Sequence, residues 1–252
     1  MSQLQKSISR IQRREGPRIG FGAVSREKPK AMLMGVVVTS GSSAKAALDA
    51  GADLALLKAN DPAAAAGQLK DVGSGQCAGV ILPSLDDAGA ETLRKAGCDF
   101  VVTTLAGAVA TAVDPEQMGH VVAVVDTIED TTLRALGPLG LDGLYIEHAA
   151  NTMSLAGQLE LVRLSSFAGS PLIAAIGGNP TVGELRVLRD SGVAVVVAPE
   201  GTTVERLNAL ADLLKAVPPP RKPRREGGEI ALVPSVVGVE AEEEEEEEGD
   251  DE

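Results

Sequence analysis

Residues 144–151 read LYIEHAAN, in which three apolar or aromatic residues run into a Glu–His pair and two alanines and Asn151 follow. A short apolar run that ends in charged side chains is typical of a buried β-strand whose last residues reach the open edge of a sheet. A related pattern, LALLKAND, occupies residues 54–61, ninety positions earlier. The stretch therefore predicts a strand that carries His148, one of the two histidines of the chain, at its end.

Runs of this kind recur through the middle of the chain. Eight short segments rich in Val, Ile and Leu alternate with Ala- and Leu-rich stretches that have helical character, and Gly or Pro marks the joints. This alternation predicts parallel strands covered by helices, and eight units in this length indicate a closed (β/α)8 TIM barrel. The fourth predicted helix, AGAVATAVDP at residues 106–115, is the shortest. An open doubly wound sheet is the alternative, but VVVTSGSSA after the first strand lacks the glycine spacing of a dinucleotide loop.

A local repeat indicates that the barrel arose from two duplicated (βα)4 halves. AGQLKDV at 66–72 and AGQLELV at 156–162 lie ninety positions apart and share five of seven residues. Each follows one of the two related strand patterns. Because the halves of a closed barrel face each other, the repeat predicts that Lys58 and His148 stand at equivalent places on opposite sides of the barrel mouth.

The ends of the chain differ in charge from its middle. Residues 1–30 hold eight Lys or Arg against two Glu and predict a basic N-terminal amphipathic helix followed by a linker, whereas 31–217 form the barrel. Residues 218–239 read as a Pro-rich basic linker and an extended segment. Residues 240–252 contain eleven acidic residues and no basic one, which predicts a disordered acidic tail with a basic docking partner or a solubilising role.

Composition excludes several classes of function. Aromatic residues make up 2% of the chain and Trp is absent, so stacking platforms for nucleic acid are not expected. No apolar run approaches the length of a membrane span or a secretory signal. We therefore expect a cytoplasmic protein that binds a small molecule, with no nucleic-acid or membrane partner, and that forms a homo-oligomer.

Polar side chains at the ends of the predicted strands are candidates for a catalytic site, because the active site of a (β/α)8 barrel lies where the strands end. Lys58, Asp126, Glu147 and His148 each end a strand that is otherwise apolar. A Lys beside apolar neighbours can act as a nucleophile or bind a carboxylate, and a His beside a carboxylate is a usual general base. The structural alternative is an ion pair between Lys58 and Glu147 at the rim, with His148 capping a loop.

Two turns near the end of the predicted barrel are candidates for binding a phosphate or another anion. IGGNP at 176–180 and PEGTT at 199–203 follow the seventh and eighth strands, where backbone N–H groups commonly hold phosphate in this fold. Ordinary helix capping by Asn179 and Thr202 is the alternative. The predicted anion-binding residues are Gly177, Gly178, Asn179, Gly201 and Thr202.

Residues 143–162, GLYIEHAANTMSLAGQLELV, resemble the strand–loop–helix of the metal-dependent 2-keto-3-deoxy (hydroxy-acid) aldolases, in which a D-x-EH-x-x-N stretch carries the histidine base. The matching residues are Glu147, His148 and Asn151. The resemblance implies a (β/α)8 aldolase with His148 as the base and a divalent metal ion as a candidate cofactor. The arginine that those aldolases carry on the next strand has no counterpart here. Glu147, His148 and Asp126 could together hold a divalent ion, but no ligand spacing specifies it.

AGCDFVVTTLAG at 96–107 and the IGGNP turn resemble more generally the phosphate-binding barrels and Schiff-base aldolases. Those enzymes commonly carry their lysine on strand six, where this chain has Glu147. Together the patterns predict a small-molecule-binding barrel that works as a lyase or aldolase on an oxo-acid or a phosphorylated carbonyl compound. The competing hypothesis is a non-catalytic barrel that serves as a scaffold or assembly subunit through its charged tails.

Overall fold

The structure, a computed structural model, describes residues 1–12, 30–73, 75–124, 127–149 and 154–218, without the side chains of residues 148 and 149. Eight parallel strands pair in chain order, and the eighth closes on the first, so that the predicted (β/α)8 barrel is confirmed. The chain beyond Pro218, including the predicted linker and acidic tail, lies outside the described residues.

The strands are short and the helices run between them on the outside. The strands are β1 Leu33–Val38, β2 Leu54–Lys58, β3 Ala78–Ile81, β4 Phe100–Thr104, β5 Gly119–Val124, β6 Gly143–Ala149, β7 Leu172–Ile176 and β8 Val193–Ala198. The helices are α1 Gln3–Gln12, α2 Gly41–Asp49, α3 Pro62–Val72, α4 Asp87–Lys95, α5 Asp130–Leu136, α6 Leu155–Ala168, α7 Val182–Asp190 and α8 Val204–Ala216, with a 3₁₀ turn at Gly137–Leu139. No helix in this described part is long and apolar enough to cross a membrane.

Buried side chains form two layers, because successive residues of a strand point to opposite faces. The inner cluster fills the barrel with alternate strand residues such as Leu54, Leu56, Phe100 and Tyr145. The outer cluster joins the other strand residues to helix residues such as Leu69. Both faces of each strand are therefore apolar, which explains the continuous Val, Ile and Leu runs of the sequence.

Helix α1 closes the bottom of the barrel. Its Leu4 and Ile8 are almost completely buried and belong to the inner cluster. Asp99, which immediately precedes β4, accepts hydrogen bonds from the backbone N–H groups of Gln3 at 2.6 Å and Leu4 at 2.9 Å. A carboxylate at this place satisfies the first N–H groups of the helix and complements its dipole. The predicted N-terminal helix is confirmed, and the barrel can open only at its other end.

The prediction of a helix after the fourth strand is wrong. Residues 105–118 form turns, and the part around Ala108 makes an isolated parallel bridge with Leu85. The backbone passes so close to the β3 loop that a Cβ on Gly107 would stand 2.3 Å from the carbonyl oxygen of Pro83. Ala112 and Met118 are buried here. This close contact replaces the helix, and glycine and proline in a ten-residue stretch leave little room for helical turns.

The ninety-residue offset of the repeat does not preserve the barrel interior. Leu54 belongs to the inner cluster, whereas Leu144, ninety positions later, belongs to the outer cluster. Tyr145 is the β6 residue that points inward. By the alternation of strand residues, the counterpart of Lys58 on β6 is therefore Glu147 and not His148. The duplication itself stays a prediction.

Candidate functional site

A cavity of about 450 Å³ opens at the ends of the strands, opposite helix α1. We call it the mouth cavity. Its floor is apolar and is formed by the inward-facing residues that pack against the inner cluster from above. A concave, largely apolar site with a few polar groups is the usual form of a small-molecule site. The floor residues are Val37, Ile81, Ala123 and Ala175.

Lys58 and Glu147 both line this cavity, one from the end of β2 and the other from β6. Strands two and six lie on opposite sides of an eight-stranded ring, so the cation and the carboxylate face each other across the mouth. The ion pairs of the described residues include neither Lys58 nor Glu147. The structure therefore does not show the alternative, an ion pair between Lys58 and Glu147 at the rim of the barrel.

Further polar residues line the mouth cavity beside Lys58 and Glu147. Glu200, from the turn after β8, and Tyr145, one layer below Glu147, line the cavity together with Asn60 and Thr104. Burial, with the negative charge of Glu147 as a smaller cause, raises the pKa of Tyr145 to about 12. Its hydroxyl therefore remains a neutral proton donor at physiological pH. Tyr145 was overlooked because an aromatic residue within an apolar run reads as core.

The remaining predicted catalytic residues fall outside what the structure describes. Asp126 and Asn151 are not among the described residues, and of His148 only the backbone, within β6, is described. Among the described side chains there is no group of three or more His, Cys, Asp or Glu that could hold a metal ion. The divalent ion and the role of His148 as base stay predictions that rest on the aldolase resemblance.

His120 occupies the outer face of the barrel wall. It lies near the start of β5, and its Nε2 is 2.9 Å from the hydroxyl oxygen of Thr103 on β4. Burial lowers the pKa of His120, because the cation would lose solvation there. Its neighbours in the strand, Gly119 and Val121, are buried. His120 is not among the residues that line the mouth cavity, and the hydrogen bond with Thr103 gives it a structural role.

The predicted anion-binding residues line a second cavity of about 350 Å³, which we call the outer cavity. Gly178, Asn179 and Thr202 contribute to its rim, whereas Gly177 and Gly201 are not part of its lining. Ile176 and Ala198, which form its inner wall, belong to the outer cluster, so this cavity lies between the barrel wall and α8. The anion-binding prediction thus concerns a place outside the mouth cavity.

The two turns leave Asn179 and Thr202 unused by helix capping. The N-cap residues are Thr181 for α7 and Thr203 for α8, and each accepts a hydrogen bond from a backbone N–H three residues later. Asn179 instead accepts a hydrogen bond from Arg206 at 3.1 Å, and Thr202 donates to the carbonyl oxygen of Pro199 at 2.6 Å. The capping alternative is therefore wrong for these two residues.

Comparison with solved structures supports the fold. The alpha-subunit of tryptophan synthase from Pyrococcus furiosus, in a mutant form, aligns with 75% of this chain and 98% of its own, at 11% identity and a TM-score of 0.57. Mycobacterium tuberculosis tryptophan synthase aligns with 86% of this chain and 98% of its own, at 14% identity and a TM-score of 0.59. This chain shares their (β/α)8 barrel fold. At such low sequence identities the similarity supports the fold and nothing about function.

Comparisons of the sequence itself give no match. Neither a protein-family model nor a curated protein matches this chain. The functional argument therefore depends on the chemistry of the mouth and outer cavities.

Proposed function

We propose that the mouth cavity binds a small oxo-acid and that the chain acts on it as a lyase of the aldolase type. The observation that carries this proposal is the approach of Lys58 and Glu147 from opposite strands over an apolar floor. Two opposite charges that line one cavity without pairing with each other are available to a ligand that carries both a carbonyl and an ionisable hydroxyl. Binding sites and catalytic sites of barrels are built at this end.

Lys58 is the group for the negative charge of the substrate. It is the cationic side chain in the lining of the mouth cavity, against the carboxylates of Glu147 and Glu200. An ammonium donates up to three hydrogen bonds and can hold a carboxylate and the neighbouring carbonyl oxygen together. In the transition state the same ammonium stabilises the negative charge that develops on that oxygen.

Of the two carboxylates in the mouth lining, Glu147 is the one assigned as proton acceptor, because it ends the strand opposite Lys58. In the cleavage direction its carboxylate takes the proton from the substrate hydroxyl, the carbon–carbon bond breaks, and the bonding electrons pass to the oxo-acid fragment as an enolate held by Lys58. A proton then returns to the enolate carbon, which gives an aldehyde and an oxo-acid with atoms and charges balanced. Tyr145, lying below Glu147, is placed to donate a hydrogen bond. His148 as an additional or alternative base remains the prediction of the resemblance.

The oxo-acid is preferred over the phosphorylated carbonyl compound. A phosphorylated substrate would place its phosphate on the turns at Gly177, Gly178, Asn179, Gly201 and Thr202. Three members of that set, Gly178, Asn179 and Thr202, line the outer cavity, and Pro199 is the lining residue that the two cavities share. A single small ligand in the mouth would therefore not reach the predicted phosphate groups, whereas an oxo-acid needs only Lys58.

A thermal-shift screen of the full chain with oxo-acids and sugar phosphates tests the proposal. A ligand of the folded state raises Tm, by about 2–4 °C for each kcal/mol that its binding adds to the free energy of unfolding in a chain of this size. Lys58→Met should remove the shift with oxo-acids. Lys70→Met, an exposed lysine on α3, is the matched control and should keep it.

A different pattern would overturn the assignment. A Tm shift that persists in Lys58→Met places the ligand elsewhere. No shift with any compound, while both variants fold like the wild type, supports the non-catalytic scaffold instead. A shift with sugar phosphates alone would restore the phosphorylated substrate.

A further inference from the structure

The outer cavity has a lining that is polar on one side and apolar on the other, and a bound phosphate would use only the polar side. Its polar rim is formed by Asn179, Thr202, Glu205 and Arg206, and below the rim the lining is entirely Ile, Ala, Leu and Pro. A phosphate would occupy only the rim and leave the apolar part without a partner. The shape and polarity are those of a site for an amphiphilic molecule.

Helix α8 presents both parts of this chemistry on one face. Arg206, Ala209, Leu210 and Leu213 line the cavity and are three, four and seven positions apart, which is the spacing of one helix face. The face extends for about 10 Å along the helix axis. Its charged end lies at the rim, and its apolar end continues between α8 and the barrel wall at Ile176 and Ala198.

Arg206 is held in place and still has donors to offer. Its Nη2 donates to the carbonyl oxygen of Gly178 at 3.3 Å and to Oδ1 of Asn179 at 3.1 Å. Among the described residues, Nε and Nη1 of Arg206 have no hydrogen-bond acceptor. A guanidinium that is fixed through Nη2 and has Nε–H and Nη1–H groups to offer can donate a charge-assisted hydrogen bond to a carboxylate.

The acidic residue of the rim, Glu205, lies in the first turn of α8. Glu205 accepts hydrogen bonds from its own backbone N–H and from the hydroxyl of Thr203, and these lower the pKa of its carboxyl group. Its charge is thereby engaged at the start of α8, where the helix dipole favours a carboxylate. The cation of the rim, Arg206, is the charged group left for a ligand.

We infer that the outer cavity binds a short-chain aliphatic carboxylate, with the carboxylate on Arg206 and the alkyl chain against Ala209, Leu210 and Leu213. This inference does not rest on the proposed function of the mouth. The two sites use different residues except for Pro199, which lies in the wall between them.

Calorimetric and ligand-observed NMR titrations of the full chain with hexanoate, hexan-1-ol, hexylammonium and inorganic phosphate test the inference. Hexanoate should bind about tenfold or more tightly than each of the others, since a charge-assisted hydrogen bond from Arg206 and the apolar contact act together only in that ligand. Arg206→Gln should weaken hexanoate by about tenfold and leave hexan-1-ol unchanged.

Two further variants locate the site. Ala209→Phe fills the cavity from an exposed position, so it should preserve folding and abolish binding of hexanoate. Lys58→Met alters the mouth and should leave hexanoate affinity unchanged, which separates this inference from the proposed function.

Each of the following results would overturn the inference. Equal affinity for hexanoate and hexan-1-ol leaves no role for Arg206, and preference for hexylammonium assigns the rim charge to Glu205. Phosphate binding more tightly than hexanoate assigns the site to phosphate alone. Loss of hexanoate binding in Lys58→Met places the carboxylate in the mouth, and no binding of hexanoate at millimolar concentration removes the site.

Discussion

Helices α3 and α6 carry the same AGQL sequence but bury different faces. In α3 the apolar residues of this segment, Ala66, Leu69 and Val72, are buried against the sheet. In α6 the counterparts of Leu69 and Val72, ninety positions later, are Leu159 and Val162, which are 61% and 38% exposed. The same residues in the same order thus form part of the core in one helix and part of the surface in the other.

The rest of each helix decides which face is buried. Helix α3 ends at Val72, three residues after the shared AGQL, and it has no apolar face other than the one that is buried. Helix α6 continues for six residues beyond Val162, and Leu161, Leu164 and Ala168 supply its buried face. Leu161 is two positions from Leu159, which is about 200° around the helix. A helix with apolar residues on two faces can bury only one of them against a sheet. In α6 the buried face is the longer one, which carries Leu161, Leu164 and Ala168.

The neighbours reinforce the difference. Helix α3 is tightly flanked: a Cβ on Gly41 of α2 would stand 1.9 Å from the carbonyl oxygen of Gln68, and one on Gly89 of α4 would stand 2.8 Å from Pro62. Helix α6 is instead tied to α5 by Arg163, which donates to Asp130 and to the carbonyl oxygen of Ile128. Close packing on both sides fixes α3, whereas a polar contact orients α6.

The largest expected effect distinguishes the two leucines of the shared segment. Leu69→Ala should lower the free energy of unfolding by about 2–5 kcal/mol, because it leaves a cavity beside the sheet. Leu159→Ala should change it by no more than about 0.5 kcal/mol, because the side chain is largely in solvent. Denaturant unfolding of both variants checks the difference. Similar losses for the two would mean that α6 buries the face assigned here to solvent.

A smaller effect is expected within α3 itself. Gly67 lies in the helix interior, is exposed, and would place a Cβ where no other atom stands within 4 Å. Gly67→Ala should therefore raise the free energy of unfolding by about 0.5–1 kcal/mol, since Ala restricts the unfolded chain and favours the helix. Thermal unfolding beside the wild type measures it. A loss of stability would show that α3 is packed more closely on this side than the structure indicates.

The smallest expected effect concerns the ion pair within α6 between Glu160 and Arg163, the arginine that also contacts Asp130. Glu160 accepts two hydrogen bonds of 2.8 Å from Arg163, and these lower the pKa of its carboxyl group below the ordinary value of 4.5. Glu160→Gln should cost about 0.2–0.5 kcal/mol at neutral pH.

The pH dependence of this contribution has a definite sign. A carboxyl group whose pKa is lower in the folded state stabilises the fold above its ordinary pKa and loses that contribution as the pH falls through the folded value. The wild type and Glu160→Gln should therefore differ above pH 4.5 and converge in more acidic solution. A difference that persists there would assign the effect to packing and not to charge.

Much of the architecture could be predicted because strands and helices have different periods. The eight apolar runs mark the eight strands, and the polar ends of two of them, Lys58 and Glu147, line the mouth cavity. The phase of each strand could not be predicted in the same way. Segments such as LALLK are apolar on both faces, so nothing in them distinguishes inward from outward residues, and the ninety-residue offset paired Lys58 with His148.

The parts of the site that were missed depend on packing between distant segments. Arg206 reaches Asn179 only because the closed barrel brings the turn after β7 beside the start of α8. Arg206 could have been suspected from its place, three residues after the N-cap Thr203 at the mouth end of α8. The helix after β4 was predicted from alanine content, which does not reveal that the chain passes close to Pro83.

Exchange of the methyl protons of pyruvate with deuterium tests most directly the claim that Lys58 and Glu147 act on an oxo-acid. If Glu147 removes a proton next to a carbonyl that Lys58 polarises, the wild type in D2O should remove the methyl signal from the proton NMR spectrum faster than buffer alone. Lys58→Met and Glu147→Gln should each return the rate to that of buffer, while Lys70→Met keeps it. No exchange with the wild type, or an unchanged rate in both mouth variants, would contradict the account.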